Sequence, residues 1–178
     1  LDPERAAASL LFKLSETKSG GALQIVQDTG TGGSWPISTD RVAWARGAMS
    51  VLRFSDHPAL EAAAFEAMEN TAEMDRRYAF DPRDGLYRGE TSFLDWREQS
   101  YPSWTAEDVV HIGMSKSLST NLDHLFLLRS LEAETGADYG ADDLATAIDE
   151  AFWDGTVYRS YLTTALDPSP AGQQDLLA

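Results

Sequence analysis

The 178-residue sequence contains no cysteine. Neither a disulfide framework nor a thiolate metal site is available, and the compartment stays open, since a bacterial periplasm and a cytoplasm both suit such a chain. Histidine is scarce: His57, His111 and His124 lack the close spacing of a metal-ligand set and are read as structural, so no metal or cofactor is called for. No apolar run approaches the roughly 18 residues needed to span a bilayer. Leu1 is not followed by a basic, apolar leader, so the expectation is a mature or excised fragment. Basic residues are few, 14 Lys and Arg against 29 Asp and Glu, and the resulting formal charge of −15 repels nucleic-acid phosphates and anionic membranes. Neither nucleic acid nor membrane is expected as a partner. The acidic residues are scattered, as on a solvated surface.

What is present suffices for one domain with a core, at 43% hydrophobic and 24% charged residues. Four stretches carry helical periodicity. The first, 41–53, repeats Val42, Ala45, Met49 and Leu52. The second starts after Asp56 as cap, with Pro58 in the first turn and Leu60, Ala64 and Met68 on one face, and ends near Arg77. The third, 118–134, has the stripe Leu118, Leu122, Leu125 and Leu128, widened by Phe126, with Gly136 as the closing residue. The fourth, 142–153, repeats Leu144, Ile148, Ala151 and Phe152 behind helix-starting carboxylates. A short helix is also expected to begin at Thr105, where Asp108 completes a variant capping box.

Two short pieces between helices match: Asp84-Gly85-Leu86-Tyr87-Arg88 and Asp154-Gly155-Thr156-Val157-Tyr158-Arg159, the second longer by one residue. Each follows a helix and leads into a Ser/Thr-rich segment ending in Asp. A helix pair plus a glycine hairpin that recurs after about 70 residues cannot bury both faces alone, which argues for stacking with similar neighbours.

The densest set of functional side chains is the segment 89–104, with Glu90, Asp95, Trp96, Arg97, Glu98, Tyr101 and Trp104 on a stretch without helical period. Glycosidic cleavage needs one carboxylic acid to protonate the leaving oxygen and a second carboxylate as base or nucleophile, while sugar faces stack on aromatic rings. A carboxyl group beside Trp96 and partly withdrawn from water holds its proton more tightly, and Asp95 is the preferred candidate. The competing reading is a set of ion pairs among Asp95, Arg97 and Glu98 that holds a long loop. A second cluster, Trp35, Asp40 and Arg41, precedes the first long helix, where Asp40 or Thr39 equally reads as a helix cap. Asn121, with Ser119 and Thr120, precedes the third helix in the same way, either beside the same mouth or as simple capping.

Trp35-Pro36 with Asp40-Arg41, then Gly85-Leu86-Tyr87-Arg88-Gly89-Glu90 leading to Phe93-Leu94-Asp95-Trp96-Arg97, then Ser119-Thr120-Asn121 and Phe152-Trp153-Asp154-Gly155 resemble bacterial six-hairpin glycosidases. That group includes trehalase-like, glucoamylase-like and debranching-type enzymes. The resemblance spreads over 35–177, and 89–104 is its most specific part. It implies an all-α fold, part of an (α/α)6 toroid of helical hairpins with short β-hairpin-like connections, and an inverting hydrolase whose general acid lies between Glu90 and Glu98. Similarity to the Glu-Ser-Gly-Trp-Asp pattern of trehalase-like members nominates Asp95; similarity to the glucoamylase-like pattern nominates Glu98. The substrate-binding set it implies is Trp35, Asp40, Arg41, Glu90, Trp96, Arg97, Tyr101, Trp104 and Asn121.

Six hairpins need well over 300 residues by the size of the unit seen here, so 1–178 is expected to be a single catalytic-domain fragment of about two and a half hairpins. Its general base is then expected beyond Ala178, and the remainder of its own domain is an expected partner besides a carbohydrate. The alternatives are another toroid enzyme acting on sugars, such as an epimerase or an unsaturated uronyl hydrolase, and a non-catalytic helical-repeat module that binds a glycan or a protein.

Overall fold

The computed structural model describes residues 2–16, 21–26, 39–89 and 114–162, and these are predominantly helical. Helix α1, Pro3–Phe12, was not among the expected helices. It starts where Asp2 accepts the Arg5 N–H (3.2 Å) and Pro3 takes a first-turn position that lacks an intrahelical acceptor anyway. Helix α2, Trp44–Phe54, starts three residues later than the periodicity suggests, because a 3₁₀ turn, Thr39–Ala43, leads into it and its cap residue Ala43 makes no side-chain bond. Helix α3, Pro58–Tyr78, is capped by His57, not Asp56: the imidazole Nδ1 accepts the Leu60 N–H at 3.2 Å. Helix α4, Leu118–Thr135, is capped by Ser117, which accepts the Thr120 N–H, and is closed by Gly136 at φ 71°. Helix α5, Ala141–Phe152, follows a tight connection in which the Glu132 carboxylate accepts the N–H groups of Tyr139 and Ala141 (2.9 and 3.1 Å).

One hydrophobic cluster joins the helices. Small side chains of α2 and α3 (Ala45, Ala48, Ala64, Ala67) bring those two close, and Met68, Leu127, Leu131, Leu144, Ile148 and Phe152 fill the space towards α4 and α5. Helix α1 lies on α2, and a Cβ added at Gly47 would sit 3.3 Å from Leu10 Cδ2. The face that α4 buries differs from the leucine stripe read from its sequence. Leu122 is exposed, whereas Thr120, Asn121 and His124 are buried together with Leu127, Leu128 and Leu131.

Three antiparallel ribbons join chain segments at helix ends. β1, Leu14–Ser15, pairs with β2, Gln24–Ile25; β3, Phe80–Asp81, with β4, Leu86–Tyr87; and β5, Lys116–Ser117, with β6, Tyr161–Leu162. The two matching sequence pieces do form similar hairpins. β3–β4 follows α3, with the Arg88 N–H on the Ala79 carbonyl, and a single bridge between Trp153 and Tyr158 follows α5, with the Arg159 N–H on the Phe152 carbonyl, both at 2.8 Å. The match is not residue for residue: Asp84-Gly85 ends the four-residue turn 82–85, whereas Asp154-Gly155 begins the turn 154–157.

Candidate functional site

Of the residues expected to act on a sugar, Trp35, Glu90, Asp95, Trp96, Arg97, Glu98, Tyr101 and Trp104 lie outside the described residues, as does the helix expected at Thr105. Asp40 falls in the 3₁₀ turn before α2. What the structure defines is the base on which these segments stand. The Gly89 N–H donates to the Ser115 carbonyl at 3.0 Å, so the segment 90–113 leaves and re-enters the fold at neighbouring points. Beside it β5 pairs with β6, and the Leu118 N–H donates to Ser160 (2.8 Å). The start of α2, the end of α3, the start of α4 and the end of α5 all fall near these connections, as antiparallel helix pairs require.

Beneath this end lies a chain of buried polar groups. Arg41, expected on the binding surface, has its side chain 1% exposed; Nε donates to the Ile25 carbonyl (3.2 Å) and the guanidinium pairs with Asp75 of α3. The other Asp75 oxygen meets His124 Nε2 of α4 at 3.1 Å, and His124 Nδ1 lies 2.9 Å from the Thr120 carbonyl. The Tyr87 ring stacks on His124, centroids 3.9 Å apart. Asn121 uses both ends of its amide on backbone: its oxygen accepts the Tyr87 N–H (2.8 Å), and its nitrogen donates to the carbonyls of Tyr87 (3.0 Å) and Ser117 (2.9 Å). Arg41 and Asn121 are thus brought to the same end of the bundle, under the surface rather than on it. Nor does Asn121 cap α4; it sits within the first turn and ties the helix to β4.

A second charge centre stands beside the exit of 90–113. Asp81, with its side chain 1% exposed, accepts from Arg83 (2.8 and 3.0 Å), Arg88 (2.8 Å) and Lys116 (2.8 Å), and Lys116 also pairs with Asp84. Above all the Arg83 hydrogen bonds, and then Lys116 and Arg88, hold the Asp81 carboxyl well below the usual carboxylate range despite its burial. Such a group stays ionised and cannot serve as a proton donor near neutral pH. Its role is to bind Arg88, one residue before Gly89, to Lys116, one residue after Ser115. Among the described residues no group of acidic or histidine side chains is arranged to hold a metal ion, and no helix is long and apolar enough to cross a membrane.

No family model, curated protein or solved structure matches this chain. The functional reading rests on its own residues.

The polar base itself was the element least visible in the sequence. Asp75, Asp81 and Lys116 are not among the residues that the sequence singles out, yet all three are buried.

Proposed function

We propose that this protein is a glycoside hydrolase of the α/α-toroid type, cleaving a glycosidic bond by carboxylate acid/base chemistry with inversion. In this reading Asp95, or Glu98 in its place, protonates the leaving oxygen; Trp35, Trp96, Tyr101 and Trp104 stack on sugar faces; and Asp40, Glu90 and Arg97 bind hydroxyls. The supporting observation is the shared base. The residues flanking 27–38, which holds Trp35, and 90–113, which holds four aromatic and five acidic side chains, meet at one end of the bundle through Ile25, Arg41, Asp75, His124, Asn121 and Tyr87. Successive helix pairs α2–α3 and α4–α5, each followed or bridged by a hairpin on that end, suit a ring of such pairs.

The test is Asp95→Asn and Glu98→Gln in the full-length protein, assayed for sugar release from a panel of oligosaccharides alongside binding of the same panel. Loss of the acid lowers turnover by about 10²–10⁴-fold while binding persists. Turnover unaffected by both substitutions removes the reading, and conversion of a sugar to its epimer without cleavage replaces it with epimerase chemistry.

A further inference from the structure

The hairpin after α5 repeats the one after α3 but leaves its aromatic pair open. On β3–β4 the Phe80 and Tyr87 rings meet edge to face, 5.2 Å between centroids, and Tyr87 is buried against His124 of α4. In the second hairpin the bridge between Trp153 and Tyr158 sets their rings 5.0 Å apart, and both residues stay exposed, at 46% and 43%. Val157, in the same turn, is half exposed. Large apolar side chains gathered in the open mark a contact surface.

Both rings are held in place. The Tyr158 hydroxyl donates to Asp149 of α5, and Asp154 Oδ1 closes the turn by accepting the N–H groups of Thr156 and Val157, each at 2.9 Å. Rings fixed before a ligand arrives lose little entropy when it binds. The Trp153 indole N–H, the Glu150 carboxylate and Oδ2 of Asp154 make no hydrogen bond among the described residues, so a donor and several acceptors accompany the rings. Asp149, Glu150 and Asp154 outnumber Arg159 here, which disfavours polyanions. Tyr158 is two residues, at most about 7 Å of chain, from Ser160. The Ser160 carbonyl accepts the Leu118 N–H at the start of α4 (2.8 Å), so the pair stands at the end of the bundle from which 90–113 departs.

We propose that the Trp153–Tyr158 hairpin holds a neutral polysaccharide chain, with sugar faces packed on the two rings and hydroxyls bonded to the indole N–H, Glu150 and Asp154. The rings are tilted by 51°, so one sugar cannot lie flat on both, whereas successive units of a chain can each meet one. Uncharged hydroxyls suit the mixture of donor and acceptors, and neutrality suits the acidic surroundings. The substrate is then a polymer that runs past the mouth at 90–113, not a short sugar confined to it. This rests on the carbohydrate part of the hydrolase reading and not on cleavage.

Native electrophoresis of the full-length protein through gels containing soluble starch, mixed-linkage β-glucan, arabinoxylan or galactomannan tests it without turnover. At least one of these neutral polymers retards the protein, and polygalacturonate does not. Trp153→Ala and Tyr158→Ala each weaken that retardation roughly tenfold, the worth of one aromatic anchor, while Asp95→Asn leaves it intact. Both rings are exposed, so Trp153→Phe and Tyr158→Phe, which keep the fold's contacts more fully, give graded losses should either alanine variant fold poorly. Retardation without sugar release removes the hydrolase and keeps the platform; sugar release without retardation does the reverse. No retardation by any neutral polymer, equal retardation by polygalacturonate, or retardation unchanged in the Trp153 and Tyr158 variants overturns the proposal. So does emission from Trp153, taken as parent minus Trp153→Phe, that escapes acrylamide quenching, because the ring is then covered by protein.

Discussion

Asp75 and His124 meet 3.1 Å apart in the interior, the carboxylate from α3 and the imidazole from α4, each with its side chain at most 1% exposed. Both neighbours of the imidazole, the Asp75 oxygen and the Thr120 carbonyl, are hydrogen-bond acceptors. Arg41 on the other Asp75 oxygen makes this one anion shared by two donors, and the start of α2, the end of α3 and the first turns of α4 are fixed to each other through it.

Asp75→Ala leaves Arg41 buried without its anion. Removing one partner of a buried ion pair costs about 3–5 kcal/mol. Urea unfolding followed by circular dichroism measures it; a loss below about 1 kcal/mol would mean that Arg41 finds water or another acceptor.

Asp81 links stability to acid. Its folded pKa is depressed, so its contribution is complete above the unfolded value of about 3.9 and is lost as pH falls through and below that value. Asp81→Asn should therefore be less stable than the parent at neutral pH, with the difference shrinking in acid. Among its partners, Lys116→Met is expected to cost more than Arg83→Ala, because the Arg83 side chain is 74% exposed and screened by solvent. Unfolding midpoints across the acid range decide both points.

Gly85 and Gly136 both take positive φ, 73° and 71°, but in different surroundings. A Cβ at Gly136 meets nothing within 4 Å, so Gly136→Ala costs only the backbone strain, about 1 kcal/mol. At Gly85 the added carbon would lie 3.1 Å from Ala147 Cβ of α5, and the β3–β4 turn would have to withdraw from the helix. Gly85→Ala is the more damaging of the two; thermal unfolding of both variants ranks them, and equal losses would show that the turn yields freely.

Tyr87→Phe removes a buried hydroxyl that has no partner while keeping the ring between His124 and Phe80. Stability at neutral pH is unchanged or rises, by up to about 1 kcal/mol. Because the folded phenol pKa is raised to about 12, the parent's stability contribution from this group is intact below the unfolded value of about 10 and declines as pH rises from there towards 12. The variant lacks that part of the alkaline decline. Chemical denaturation between neutral and alkaline pH checks both statements.

The helices were legible where apolar residues recur on one side only. In α5, Leu144, Ile148 and Phe152 are buried as their spacing indicates. In α4 apolar side chains occur all round, so spacing alone could not choose a face; the buried face was chosen by partners distant in sequence, Asp75 for His124 and the Tyr87 backbone for Asn121. Capping was half legible: Gly136 ends α4 as composition suggests, but His57 displaces Asp56 because its ring nitrogen reaches the Leu60 N–H. Helix α1 carries its starting signal in Asp2-Pro3, a cap followed by a first-turn proline. Of the candidate site, the burial of Arg41 and Asn121 was not legible, since nothing local to either residue encodes the Ile25 carbonyl or the Tyr87 backbone.

The hydrogen bond from Gly89 to Ser115 makes the intervening stretch an exchangeable cassette. Its two ends are held side by side by the clasp of Arg88, Asp81 and Lys116, and the entropy of closing a chain between two such fixed points grows only with the logarithm of its length. New recognition chemistry can be grafted between those two residues while the bundle below is inherited intact.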